Sequence, residues 1–192
     1  MVARLTKERL LSRNIEIKAR VADLSALLPR VAALADVGPV EILQEDTFFL
    51  CEAGRLKLRM FSEDAGELKG ELIFYRRADK AGPKESFYLR SPTTAPRILR
   101  ESLALAYGEV GWVRKQRTLF LSGRTRIHLD RVEGLGEFLE LEVVMGDAQA
   151  AAAELAAAEA EALELMGKLG VGAGQLLDVA YVDLARLDAK AL

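Results

Sequence analysis

Residues 13–20 read Arg13-Asn14-Ile15-Glu16-Ile17-Lys18-Ala19-Arg20. Polar and apolar side chains alternate here with a period of two, the signature of a half-buried strand. Ile15 and Ile17 share one face. Asn14, Glu16, Lys18 and Arg20 share the other, because successive side chains of a strand point to opposite sides. One amphipathic strand is ordinary; the repetition of this pattern along the chain decides the fold.

Residues 40–50, 55–61 and 67–77 read as three further strands. The turns Glu52-Ala53-Gly54 and Asp64-Ala65-Gly66 join them, which implies antiparallel meander pairing. In the second, Arg55, Lys57, Arg59 and Phe61 oppose Leu56, Leu58 and Met60. In the third, Glu71, Ile73, Tyr75 and Arg77 share a face. A polar loop, 78–84, leads to a short strand, 85–90, with Lys84, Ser86 and Tyr88 on one side and Ser91-Pro92 as its expected stop. Three more strands follow at 109–121, 124–132 and 137–145. Their polar faces carry Lys115 and Arg117, then Arg126, His128 and Asp130, then Glu140 and Glu142. Helices are expected at 23–36, capped by Asp23 or Ser25 and bent at Pro29; at 95–107, capped by Thr93 or Thr94, with Ile98, Leu99, Leu103 and Leu105 buried; at 147–168, Ala/Glu-rich and ended by Gly170 and Gly172; and at 175–187. The organisation is an N-terminal extension, 1–12, and a single domain, 13–190.

The chain of 192 residues is 51% apolar, enough for a real core, and 29% charged. Its 27 basic and 29 acidic side chains nearly cancel, which excludes a generally basic, nucleic-acid-coating surface but leaves room for a local basic pocket. Cys51 is the one cysteine, so neither an internal disulfide nor a thiolate metal cluster can form. Residues 1–12 lack the apolar core of a signal peptide, and no apolar run approaches the ~20 residues that span a membrane. These features point to a soluble cytoplasmic protein.

The polar faces of the strands carry Lys18, Lys57, Arg59, Arg77, Lys84, Lys115, Arg117 and Arg126, together with Glu16, Asp130, Glu140 and Glu142. An open antiparallel sheet with its charged face in water is the common alternative. Two features favour closure into a barrel. Most basic residues sit on the middle strands and most acidic ones on the first and last, a segregation that a solvated sheet does not need. Eight strands linked largely by short turns can also close, which removes the edges. The fold class is therefore α+β: a closed eight-stranded antiparallel β-barrel with flanking helices and a long C-terminal helix. Its charged lumen would hold water and a multiply charged anion, because unpaired buried charges cost several kcal/mol each. Converging Arg and Lys suit a chain of phosphates, and carboxylates suit a hard cation, Mg²⁺ or Mn²⁺.

In this order the motifs resemble a family. Asn14-x-Glu16-x-Lys18 is similar to the ExExK signature that opens the CYTH domains, also called triphosphate tunnel metalloenzymes. Gln44-x-Asp46-Thr47-x-Phe49, Arg55-Leu56-Lys57-Leu58-Arg59, Tyr75-x-Arg77 before Ala81-Gly82-Pro83-Lys84, Lys115-x-Arg117, Arg126-Ile127-His128-Leu129-Asp130 and Glu140-Leu141-Glu142 continue the resemblance over about residues 13–182. Leu72-Ile73-Phe74-Tyr75 and the stretch from His128 to Gly136 look most like members labelled class IV adenylyl cyclase-like. The resemblance implies a triphosphate tunnel. The eight basic residues above would grip the phosphates. Glu16, Asp130, Glu140 and Glu142 would hold Mg²⁺ or Mn²⁺, with Asn14 able to add a neutral oxygen. Glu16, Lys18, Glu140 and Glu142 would carry the chemistry. Asn14 departs from the signature, which has Glu there, and Ala180-Tyr181 departs slightly from the family's final motif.

Three functions follow from that resemblance. The first is a triphosphatase, acting on a nucleoside, organic or inorganic triphosphate. The second is an adenylyl cyclase making cyclic AMP and pyrophosphate, which needs an adenine pocket; Phe49, Phe61, Tyr75 and Tyr88 are candidates, though each suits a core equally. The third is a module that binds polyphosphate or nucleotide without turnover. The partner is a triphosphate-containing small molecule, with no membrane and no extended nucleic-acid surface, and a homodimer is compatible with the sequence. His128 reads as a hydrogen-bonding neighbour of the site, and Cys51 and Trp112 as structural.

Overall fold

The computed structural model describes residues 11–145 and 152–190. Its strands are β1 (Leu11–Val21), β2 (Val37–Phe49), β3 (Arg55–Glu63), β4 (Lys69–Arg77), β5 (Lys84–Thr93), β6 (Glu109–Ser122), β7 (Thr125–Val132) and β8 (Gly136–Met145). All pairings are antiparallel, and the strands close in the order β1-β5-β4-β3-β2-β6-β7-β8. The expected closed barrel is therefore the architecture. The helices are α1 (Leu24–Leu34), α2 (Pro96–Tyr107), α3 (Ala152–Lys168) and α4 (Tyr181–Lys190). No described helix is long and apolar enough to cross a membrane.

The apolar core lies outside the barrel. Ile15, Ile17 and Ala19 of β1, Ile127 and Leu129 of β7, and Leu139, Leu141 and Val143 of β8 point outward. They pack under Leu24, Leu27 and Val31 of α1 and Ala158, Ala162 and Leu165 of α3. Alanines on α3 let that helix lie close to the strands. A second apolar cluster joins the inward-facing Phe48, Val113, Val132 and Phe138 to Ala180, Tyr181 and Val182, and it fills one end of the barrel. Gly111 makes room for it: a Cβ there would meet Val182 at 2.8 Å, and its φ of +156° favours glycine.

Several expectations shift. β1 begins at Leu11, inside the expected extension. β5 runs through Pro92 to Thr93 rather than stopping at Ser91. In the β4–β5 register Pro92 stands opposite Glu71. Asp23 caps α1, accepting from the Ser25 N–H at 2.7 Å, and Pro29 sits inside that helix. α2 has no side-chain cap and no buried residue. Its Ile98 and Leu105 are 67% and 90% exposed, because the helix lies across the outside of β2–β4 rather than over a core. Residues 147–151 of the expected long helix lie outside the described residues. The expected helix at 175–187 starts only at Tyr181. Residues 173–175 form a 3₁₀ turn, and the strap after it is held in extended form: Leu176 bridges to Ala19, and the Leu177 N–H donates to the Lys18 carbonyl at 2.9 Å.

Candidate functional site

Period-two alternation on each strand sends the polar faces into the barrel. The resulting cavity measures about 130 Å³. Its wall contains Lys18, Lys57, Arg59, Arg77, Arg90, Lys115, Arg117 and Arg126 against Glu16, Asp46, Glu140 and Glu142. That is eight cations and four carboxylates, an excess of four positive charges. Ala180 and Tyr181 form the floor, and Arg90 and Arg126 are partly exposed toward the opposite end.

The charges are organised around four centres. Asp46 on β2 accepts from Lys57 at 2.6 Å, from Arg59 at 2.9 and 3.2 Å, and from Gln44 at 3.1 Å. Burial pushes its pKa up, but Arg59 and Lys57 outweigh burial and hold the carboxyl well below the usual range. Asp130 on β7 is fully buried. It accepts a bidentate pair from Arg117 at 2.6 and 2.7 Å, Lys115 at 2.7 Å, and the Tyr181 hydroxyl at 3.2 Å. Glu140 meets Arg117 at 2.5 Å and Lys18 at 3.0 Å. Burial favours its neutral form, yet Lys18, Lys115 and Arg117 hold it ionised, well below the usual range. Glu16 accepts from Arg77, and in the β1–β8 register it sits opposite Glu142.

Two kinds of buried group lack hydrogen-bond partners. Arg77 lines the cavity; its Nε and Nη2 make no hydrogen bond, although buried donors normally do, and Nε stands 3.9 Å from Asp79. Asn14 Oδ1 and His128 Nδ1 are also buried without a partner, and both are sites for a lone pair to meet a cation. One ligand atom each from His128, Glu140 and Glu142 lie within 4.8 Å of one another. This donor set fits a divalent metal ion. Burial, reinforced by Arg117, lowers the His128 pKa below its ordinary value.

Seven of the eight expected phosphate-binding cations line the cavity. Lys84 does not. Its side chain is fully buried, and its ammonium donates to the carbonyls of Lys80 and Leu177 at 3.1 and 3.0 Å. It ties the 177–178 strap down instead. Burial and the neighbouring Arg77 lower its pKa to about 8. Asp130, expected as a metal ligand, stands outside the His128–Glu140–Glu142 cluster; it is paired with Lys115 and Arg117, as Glu140 is with Lys18 and Arg117. Glu16 lines the cavity but is also outside that cluster. Sequence reasoning gave no role to Asp46 or Arg90 and treated Tyr181 as minor. Yet the Lys18 ammonium lies 3.7 Å and the Lys115 ammonium 4.9 Å from the centre of the Tyr181 ring, a cation–π arrangement. The signal for Asp46 was available, since it alternates with Gln44 and Phe48 on the inward face of β2.

The family described as CYTH domain matches residues 12–181. The chain belongs to the CYTH domain family. Solved structures of similar fold include the PH1012 protein of Pyrococcus horikoshii, at 22% identity and TM-score 0.74, covering 89% of this chain and 98% of that one. A candidate adenylate cyclase from Vibrio parahaemolyticus aligns at 17% identity and TM-score 0.66, covering 90% and 97%. HpAC1 from Hippeastrum, a candidate adenylyl cyclase described as having a dominant triphosphatase activity, aligns at 16% and 0.60, covering 94% and 97%. At these identities the likeness concerns the fold. No match is found among curated proteins.

Proposed function

We propose that this CYTH protein is a metal-dependent triphosphatase that holds its substrate's phosphates inside the barrel. The observation that carries the reading is the cavity wall: eight cations against four carboxylates, with two Arg77 donors that make no hydrogen bond. The cations outnumber the carboxylates even with the buried Asp130 that pairs with Lys115 and Arg117, and Arg and Lys converging from separate strands suit the oxygens of a triphosphate chain. Lys18, Lys57, Arg59, Arg77, Lys115, Arg117 and Arg126 bind and orient the phosphates. Glu140 and Glu142 hold the divalent cation, with Glu16 and Asn14 beside them on β1. Such a cation, when bound, polarises phosphate oxygens and lowers the pKa of an attacking water. The arginines and lysines offset the charge that develops during phosphoryl transfer. Asp130 fixes Lys115 and Arg117 in place.

The deciding experiment is a panel of ATP, thiamine triphosphate and tripolyphosphate, each with Mg²⁺ and with Mn²⁺. Phosphate release is the expected result. Cyclic AMP with pyrophosphate would replace this reading with the cyclase, and tight binding with neither product would replace it with a non-catalytic binder.

Two predictions attach to individual residues. Burial, together with Arg59, lowers the Lys57 pKa to about 8. A bound triphosphate favours the ammonium form. Below pH 8 that form is already present, and above it binding must take up a proton. Affinity through Lys57 is therefore expected to fall by up to about tenfold per pH unit above 8. Titration of a non-hydrolysable triphosphate at pH 7 and 9 checks this against Lys57→Arg, which stays charged and is expected to flatten the profile. Equal slopes would remove Lys57 from the phosphate contacts. Asn14→Glu adds a carboxylate where a buried amide oxygen now lacks a partner, and metal affinity is expected to rise about tenfold, a gain of about 1.4 kcal/mol. Superimposable metal titrations of the two proteins would mean that position 14 is not a ligand.

A further inference from the structure

We propose that His128 supplies a nitrogen ligand to the cation held by Glu140 and Glu142, so that the site selects first-row transition ions over magnesium. The inference rests on the metal site of the preceding reading and departs from the all-oxygen ligand set that the family resemblance implies.

The β7–β8 register sets His128 directly opposite Glu140, with Glu142 two residues further along the same face. His128 Nδ1 lies 3.7 Å from an oxygen of Glu140 and 3.7 Å from an oxygen of Glu142. Both separations are too long for hydrogen bonds. They suit two ligands of one ion: donors each about 2.1 Å from a common metal stand about 3.0–3.4 Å apart, within a small side-chain adjustment of this geometry. The nitrogen is buried and has no hydrogen-bond partner, in a lumen where most other charged groups are paired. In the tautomer that carries its proton on Nε2, this buried nitrogen turns a lone pair toward a cation held between the two carboxylates.

The identity of the third donor determines which ion is held. Position 14 offers an amide oxygen rather than a charged one, so the wall here has fewer negative charges to attract a hard ion. Mg²⁺ takes oxygen ligands in near-octahedral geometry and keeps its waters. Imidazole suits borderline first-row ions, whose affinity for such sites rises from Mn²⁺ through Co²⁺. One nitrogen and two carboxylates therefore favour Mn²⁺ and Co²⁺ over Mg²⁺.

His128 is the chain's one histidine, which makes the test specific. Pulsed EPR of the untagged full chain loaded with Mn²⁺ is expected to show imidazole ¹⁴N coupling, and calorimetry is expected to give Co²⁺ binding at least tenfold tighter than Mg²⁺. His128→Asp is expected to abolish the ¹⁴N coupling and shrink that ratio by tenfold or more, with a thermal melt confirming that the variant folds. The wild-type spectrum needs no variant. Mn²⁺ bound without ¹⁴N coupling would overturn this inference and leave the triphosphatase reading standing. Failure of every ion to bind, with and without tripolyphosphate, would overturn both.

Discussion

Glu140→Gln is expected to lower turnover of the preferred triphosphate on the order of 1000-fold while leaving the barrel folded, the scale seen when a preorganised electrostatic group is removed. Glu140 is where side chains of three other strands meet: the cations Lys18 from β1 at 3.0 Å and Arg117 from β6 at 2.5 Å, and the imidazole of His128 from β7 at 3.7 Å. Glutamine keeps the volume and one oxygen acceptor but not the charge that binds a cation. Asp130 still holds Lys115 and Arg117, but Lys18 loses its carboxylate, so the melting temperature is expected to fall while the barrel still folds. Metal affinity should fall at least tenfold. Triphosphate binding without metal should hold or tighten, because the excess of positive charge in the cavity grows by one. Those opposite signs separate loss of a ligand from general damage. An unchanged kcat would remove Glu140 from the chemistry.

The alternation in Arg13–Arg20 and its repeats was enough to read the barrel, because a period of two reports which side of a sheet a residue faces. It does not report depth along the barrel axis. Lys84 shows the difference. It is on the expected side of its strand, yet it does not line the cavity, and its ammonium donates to the carbonyls of the 177–178 strap. Asp130 is likewise on the expected face but lies level with Arg117, whose fork takes both its oxygens. Tyr181 was illegible for another reason. It belongs to no strand, and only the docking of the chain's end brings its ring under Lys18. The α2 apolar residues misled because helical spacing predicts a stripe, and a stripe does not guarantee a surface to cover it: Leu105 remains in solvent.

The position of Asp130 leads to the largest expected effect on stability. Asp130→Asn leaves Lys115 and Arg117 buried beside a neutral amide, and breaking one partner of a buried pair costs about 3–5 kcal/mol. Burial raises the Asp130 pKa, but Arg117 and Lys115 outweigh it and hold the group at about 2, against about 3.9 for an unfolded chain. The folded value is the lower one, so the carboxylate's contribution is complete above about pH 4 and is lost as pH falls through 2. A depression of this size corresponds to about 2–3 kcal/mol at neutral pH. Denaturant titrations at pH 7 should show the variant destabilised by about 3 kcal/mol, with a shallower loss of stability between pH 4 and 2 than the wild type. Asp130→Asn/Lys115→Met, which removes one of the stranded cations, should recover part of the loss. A variant that kept full stability at pH 7 but lost metal binding would reverse the assignment: Asp130 would then be a metal ligand, and Lys115 and Arg117 would owe their positions to Glu140 alone.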